Sequence, residues 1–183
     1  MLRAVSPEAY LEAERAADVR HEYVRGQVYA LAGTRNAHTV IAVNLTVRLG
    51  LQRQGRPCQV FASATKLRAA VDRCYYPDLM VYCGPFDLQL DYLEHPRYVF
   101  EVTSPSSQRI DCNEKSEACR RAPSIEAYVI VAQDAMQVVV HRRAADAEAD
   151  WETEILSRPE DRLRLDGIGF ECDLAAIYAR AGL

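Results

Sequence analysis

Two carboxylates stand inside hydrophobic runs. Asp78 interrupts Tyr75-Tyr76-Pro77-Asp78-Leu79-Met80-Val81, and Glu101 interrupts Tyr98-Val99-Phe100-Glu101-Val102-Thr103. In an extended chain Val99, Glu101 and Thr103 share one face, so Glu101 points the same way as two otherwise buried neighbours. Burying a lone carboxylate is costly, and its charge then needs an arginine, a lysine or a metal ion beside it. Two carboxylates at the ends of adjacent strands can share one divalent cation. Mg²⁺ takes oxygen ligands and keeps several waters, and a bound water that gives up a proton can attack a phosphodiester. A plainer reading stays open for each residue alone: Asp78 as a turn residue after Pro77, and Glu101 as half of a structural ion pair with an arginine.

The elements that would position these groups can be read from periodicity. Ser6-Pro7-Glu8 opens a short amphipathic helix to about residue 17, and a hairpin of 21–24 and 28–31 turns around Gly26-Gln27. A second helix over 36–52 carries Ala37, Ile41, Leu45 and Leu49 at helical spacing. His38 lies near the start of that stripe, as a hydrogen-bonded core histidine or a site residue. Strand patterns follow at 58–62, 66–70, 75–83 and 98–103, then a loop or distorted crossover over 84–97 inside that series. The turn Ser104-Pro105-Ser106-Ser107 leads to a helix over 111–121, stopped by Pro123. Strands at 127–132, 137–142 and 151–156, an acidic loop over 144–150 and a last helix at 174–181 complete the chain. This order predicts an α/β protein in which a central mixed β-sheet is flanked by helices. The regular strand–helix alternation and glycine-rich phosphate loops of dinucleotide-binding folds are missing.

Composition bounds the function. The 183 residues carry 49% hydrophobic and 26% charged side chains, which suits one globular domain spanning 1–183. No apolar run approaches the roughly 20 residues of a membrane-spanning helix. The N-terminal segment lacks an export signal, which predicts a cytoplasmic protein. The six cysteines form no C-x-x-C pair, so zinc is not expected, and a reducing cytosol predicts free thiols. The net charge of −4 does not favour tight nucleic-acid binding, although arginines cluster near the proposed site segments. The basic residues comprise twenty arginines and two lysines, Lys66 and Lys115. A retained lysine is informative because a compact ammonium and a planar guanidinium do different chemistry. An exposed helical pair with Asp111, worth about 0.3–0.5 kcal/mol, would explain Lys115 equally well. Lys66 is expected to contact phosphate or solvent.

Five blocks in order carry a resemblance. Arg20-His21-Glu22-Tyr23-Val24-Arg25-Gly26-Gln27-Val28-Tyr29 with Ala32-Gly33 and His38, then Pro77-Asp78, then Glu101-Val102-Thr103-Ser104-Pro105-Ser106-Ser107, then Asp111 with Lys115, then Glu126-Ala127-Tyr128-Val129-Ile130-Val131, resemble the Uma-two family of the PD-(D/E)XK nuclease superfamily. The likeness covers about residues 6 to 142. It implies a restriction-endonuclease-like fold and hydrolysis of DNA by an endonuclease, with Asp78 and Glu101 holding Mg²⁺, for which Mn²⁺ can substitute. The superfamily's lysine two positions after the acid is Thr103 here, and the resemblance transfers its task to Lys115, which would orient the attacking water or stabilise transition-state charge. Glu22 and His38 would support the site, Lys66 and Arg109 would contact the nucleic acid, and a homodimer would cut two strands. The alternative is a non-catalytic nucleic-acid-binding or protein-interaction module on the same fold.

Overall fold

The computed structural model describes residues 4–31, 33–103, 110–144 and 151–183, and for 110–112 the backbone alone. Helix α1 (Pro7–Arg15) begins as its sequence dictates: the Ser6 hydroxyl accepts the Ala9 N–H at 3.2 Å and Pro7 takes the first turn. Strands β1 (His21–Val24) and β2 (Gln27–Ala30) pair antiparallel around Arg25 and Gly26, at φ 49° and 88°. Two left-handed residues match a two-residue turn to the twist of the strands. Gly26 is needed there twice over, because a Cβ would also lie 2.8 Å from that of Ala4. Helix α2 (Asn36–Arg53) buries the stripe Ile41, Leu45 and Leu49 completely.

The strands that follow are β3 (Gln59–Ala62), β4 (Lys66–Ala70), β5 (Arg73–Tyr75), β6 (Leu79–Tyr82), β7 (Tyr92–Leu93) and β8 (Tyr98–Thr103). After β8 come a π-helical turn (Ile110–Lys115), α3 (Ser116–Arg121), β9 (Ala127–Ala132), β10 (Val138–Arg143), β11 (Trp151–Leu156), β12 (Arg162–Leu165), β13 (Phe170–Asp173) and α4 (Leu174–Ile177). They form two main sheets and a hairpin. The five-stranded sheet runs β2-β1-β5-β4-β7, the six-stranded sheet runs β11-β10-β9-β8-β6-β3, and β12 pairs with β13. Both large sheets are mixed, with parallel pairs β4·β7 and β8·β9 among antiparallel neighbours.

The expected α/β class holds, but the one central sheet is two. The run expected as a strand over 75–83 breaks at Tyr76-Pro77-Asp78, since proline offers no N–H to a ladder. Its halves, β5 and β6, enter different sheets. The Asp78 link therefore crosses the seam between them. Strand alternation then sets the layers. Val81, Phe100 and Val129 join the α2 stripe in the larger core, while Met80, Val99, Tyr128 and Ile130 join Leu67 of β4 and Cys119 of α3 in a second core. Tyr10 of α1 packs with Tyr23 and Cys74 on the far face of the smaller sheet. Cys58 and Cys83, opposite each other beyond the β3·β6 ladder, are disulfide-bonded, which corrects the expectation of free thiols for this pair, while Cys74, Cys119 and Cys172 are free. The expected helix over 111–121 starts as a π-helical turn, and the loop over 84–97 contributes β7. The turn over 104–107, Arg109 and most of the acidic loop fall outside the described residues.

Candidate active site

The β6·β8 register sets the levels of Asp78 and Glu101. Leu79 pairs with Phe100 at the end of that ladder, so the next step brings Asp78 level with Glu101. A side chain then replaces the missing rung: the Val102 N–H donates to Asp78 Oδ2 at 2.7 Å. His38, in the first turn of α2, places Nε2 3.2 Å from the same oxygen, with both side chains largely enclosed. No hydrogen bond or ion pair reaches Asp78 Oδ1 among the described residues. Glu101 is 4% exposed and lies on the face shared with Val99 and Thr103, as strand alternation predicts.

Lys115 ends the π-helical turn and projects into the seam from the helical side. Its ammonium is 2.8 Å from Glu22 Oε1 and 3.4 Å from Glu101 Oε1, and it stands 5.8 Å from the centre of the Tyr75 ring. At 6% exposure, Lys115 belongs to a buried cluster and not to the exposed surface expected from sequence, while the Asp111 side chain lies outside the described residues. The difference matters in energy. An exposed pair contributes a few tenths of a kcal/mol, whereas removing one partner of a buried pair costs about 3–5 kcal/mol. Glu22 is 8% exposed, and its Oε1 also accepts the Tyr76 N–H at 3.1 Å, which ties β1 to the Tyr76-Pro77-Asp78 crossing.

Asp78, Glu101, Lys115, Glu22 and His38 thus come from the crossing just before β6, from β8, the π-helical turn, β1 and α2. Lys66 does not join them. It lies on the opposite face of the smaller sheet, 2% exposed, with its ammonium 5.4 Å from the Tyr10 ring and 5.8 Å from the Tyr76 ring. The expected phosphate contact is corrected by this burial, because Lys66 precedes Leu67, the partner of Tyr75, and alternation turns it to the opposite face, towards α1. Arg109 lies outside the described residues.

Sequence reasoning missed the residues that brace the crossing from behind. Glu14 Oε1 accepts the Tyr76 hydroxyl at 3.0 Å and the His21 N–H at 2.8 Å, and Arg20 stands 5.7 Å from the Tyr76 ring. Burial, with Glu14 as hydrogen-bond acceptor, pushes the Tyr76 phenol well above its ordinary value, and burial does the same to Tyr75. The Tyr75 hydroxyl is buried without a hydrogen-bond partner among the described residues. One signal could have found Glu14: it follows Tyr10 by one helical turn, a carboxylate on the apolar face of α1.

The donor chemistry suits a hard cation. No group of three or more His, Cys, Asp or Glu side chains able to hold a metal occurs among the described residues. Mg²⁺ needs fewer, since it is commonly bound through one or two carboxylates and otherwise keeps water. Asp78 offers an oxygen that no group engages among the described residues, one step beyond the Leu79–Phe100 pair and so level with Glu101.

Comparison with known proteins finds relatives of the chain. Residues 7–175 match the Uma2 family, described as "putative restriction endonuclease". The chain is 31% identical to uncharacterized protein slr1290 of Synechocystis sp. over 95% of its own length and 91% of that protein. It is 27% identical to uncharacterized protein sll1609 of the same organism, over 76% and 81% of the two chains. The crystal structure of a "putative nuclease belonging to DUF820" from Anabaena variabilis superposes with a TM-score of 0.78 at 14% identity, covering 97% of this chain and 99% of that one. That likeness concerns the fold.

Proposed function

The chain belongs to the Uma2 family, and on that premise we propose that it is a metal-dependent endonuclease hydrolysing DNA phosphodiester bonds. The observation that carries the proposal is the buried Lys115 held against Glu101, at the level where Asp78 keeps a carboxylate oxygen open. Asp78 and Glu101 would hold Mg²⁺ or Mn²⁺. The bound ion would supply charge neutralisation at the phosphoryl oxygens and a more acidic water. His38 and the Val102 N–H fix Asp78 Oδ2 and so orient the carboxylate whose Oδ1 would meet the ion. Glu22 orients the Lys115 ammonium, a compact donor that can hold a water or meet negative charge developing on the scissile phosphate. Thr103, 3% exposed, sits where the superfamily's lysine would be, so that Lys115 delivers the ammonium from a different element. A homodimer would present two such sites to two strands.

The test is cleavage of supercoiled plasmid with and without Mg²⁺, beside calorimetric Mg²⁺ titration. The expected result is nicking that EDTA abolishes and that Asp78→Ala and Glu101→Ala each reduce about a thousandfold or more, the scale of several kcal/mol of lost transition-state stabilisation. DNA binding without any cleavage by the parent would favour a non-catalytic module. Mg²⁺ binding that survives both substitutions would place the ion elsewhere.

A further inference from the structure

A cleft of about 430 Å³ lies between the β1·β2 hairpin and α3, lined by none of the five site residues but on the sheet face that Glu22 shares. Strand register shows the shared face. Glu22 is opposite Tyr29, Val24 is opposite Gln27 and Arg73, and directly paired residues share a face. Tyr29, Gln27 and Arg73 therefore continue the sheet face on which Glu22 holds Lys115. The other wall is helical and includes Asn113 and Glu114, the two residues just before that lysine.

The lining is mixed in a particular way. Tyr29 is 50% exposed, and its hydroxyl donates to Gln27 Oε1, which steadies the ring at the cleft wall. Arg73 and Arg121 are already paired, with Asp72 and Glu117. Arg25, Asn113 and Glu114 have no ion pair or side-chain hydrogen bond among the described residues. One cation, one amide and one carboxylate are thus left open around an exposed aromatic face. Arg25 also occupies a left-handed position, φ 49°, that glycine, asparagine or aspartate would fill at lower cost.

We propose that this cleft takes one nucleotide unstacked from a DNA strand, with its base on the Tyr29 ring, its hydrogen-bonding edge at Asn113 and Glu114, and its phosphate at Arg25. The volume falls in the roughly 300–1,000 Å³ range of small-ligand sites, too small for a duplex but suited to a single extruded residue. An aromatic face accepts any base, and phosphate is met by arginine. A carboxylate accepts from the exocyclic amine of cytosine, which thymine lacks. The inference rests on the nuclease reading, because it supplies the substrate that the neighbouring site would cut.

Fluorescence anisotropy in EDTA separates binding from cleavage. The probes are a dye-labelled DNA duplex carrying one unpaired cytosine, the same duplex with an unpaired thymine, and the fully paired parent. The expected result is about tenfold tighter binding of the cytosine bulge than of the paired duplex, a gap that Tyr29→Ala removes and Tyr29→Phe keeps. Glu114→Gln should narrow the cytosine-over-thymine preference. Equal affinity for all three probes, no binding to any of them, or a bulge preference that survives Tyr29→Ala overturns the proposal. Plasmid cleavage is scored separately. Discrimination without cutting would end the nuclease reading and leave the cleft, while cutting without discrimination would do the reverse.

Discussion

The chain's two lysines sit on opposite faces of one sheet, and both are buried against tyrosine. Lys115 stands over Tyr75 and is held by two carboxylates, while Lys66 lies near Tyr10 and Tyr76 with no carboxylate at ion-pairing distance among the described residues. Burial and aromatic contact are therefore shared, and the acids distinguish the two. Lys66 is a brace: with Arg20 and Glu14 it fixes Tyr76, the residue from which the chain crosses to Asp78. Lys115 reaches the acids themselves. A buried ammonium becomes chemically useful where the carboxylates beside it can also bind a metal or orient a water.

The sharpest way to break this contrast is to neutralise each lysine while keeping its length. Lys115→Met should lower unfolding free energy by about 3–5 kcal/mol, since Glu22 and Glu101 lose their buried cation. Urea denaturation measures the loss. A change below about 1 kcal/mol would mean that the cluster does not depend on this charge. Nuclease activity should vanish in the same variant at temperatures where it remains folded.

Alkaline titration tests the aromatic half of the comparison. Burial pushes Tyr10, Tyr75 and Tyr76 above the usual tyrosine value, so folding favours their neutral forms. The stability this provides is fully present below about pH 10, the unfolded value, and is lost progressively as pH rises beyond it. Ultraviolet absorbance at pH 11 should show these phenols un-ionised in the folded protein and ionised together on unfolding. Full ionisation at pH 11 with the fold intact would show that the rings around both lysines are open to water. The smallest effect belongs to Lys66→Met, which keeps the aliphatic packing: the cation–π contacts contribute up to about 2 kcal/mol when desolvated, and burying the charge offsets most of that. A stability change under about 1 kcal/mol, with cleavage retained, is expected. Loss of cleavage in a stable Lys66→Met protein would move the lysine assignment to the other face.

Much of the site was legible because its residues violate local rules. Glu101 stands in β8, where all six residues are buried, and a carboxylate there announces a partner. The partner itself was not legible. Nothing local says that Glu22 crosses from β1 to meet Lys115, and the nearer Asp111 offered a simpler exposed pair. The split of 75–83 into strands of two sheets depended on Pro77, whose effect on the ladder is local, but which sheet each half joins is a tertiary fact. The hairpin β12–β13 was missed because Arg162 to Leu165 alternates over only four residues, with exposed arginines that pair to Glu171. The last helix was expected to be longer. It ends after one turn, where Asn44 of α2 donates to the carbonyls of Ile177 and Ala179 and Arg180 turns left-handed at φ 60°.

The seam between the sheets has a kinetic meaning. Glu22 belongs to the first hairpin and Lys115 to a turn laid down much later in the chain, so their contact closes a long loop and cannot form early. Each sheet can acquire most of its own ladders before the two are docked, but Glu22 meets Lys115 only after docking. On unfolding the order reverses: separation of the sheets would break the Glu22–Lys115 contact while much of the backbone hydrogen bonding still stands, making the loss of that buried pair an early sign of a loosened native state.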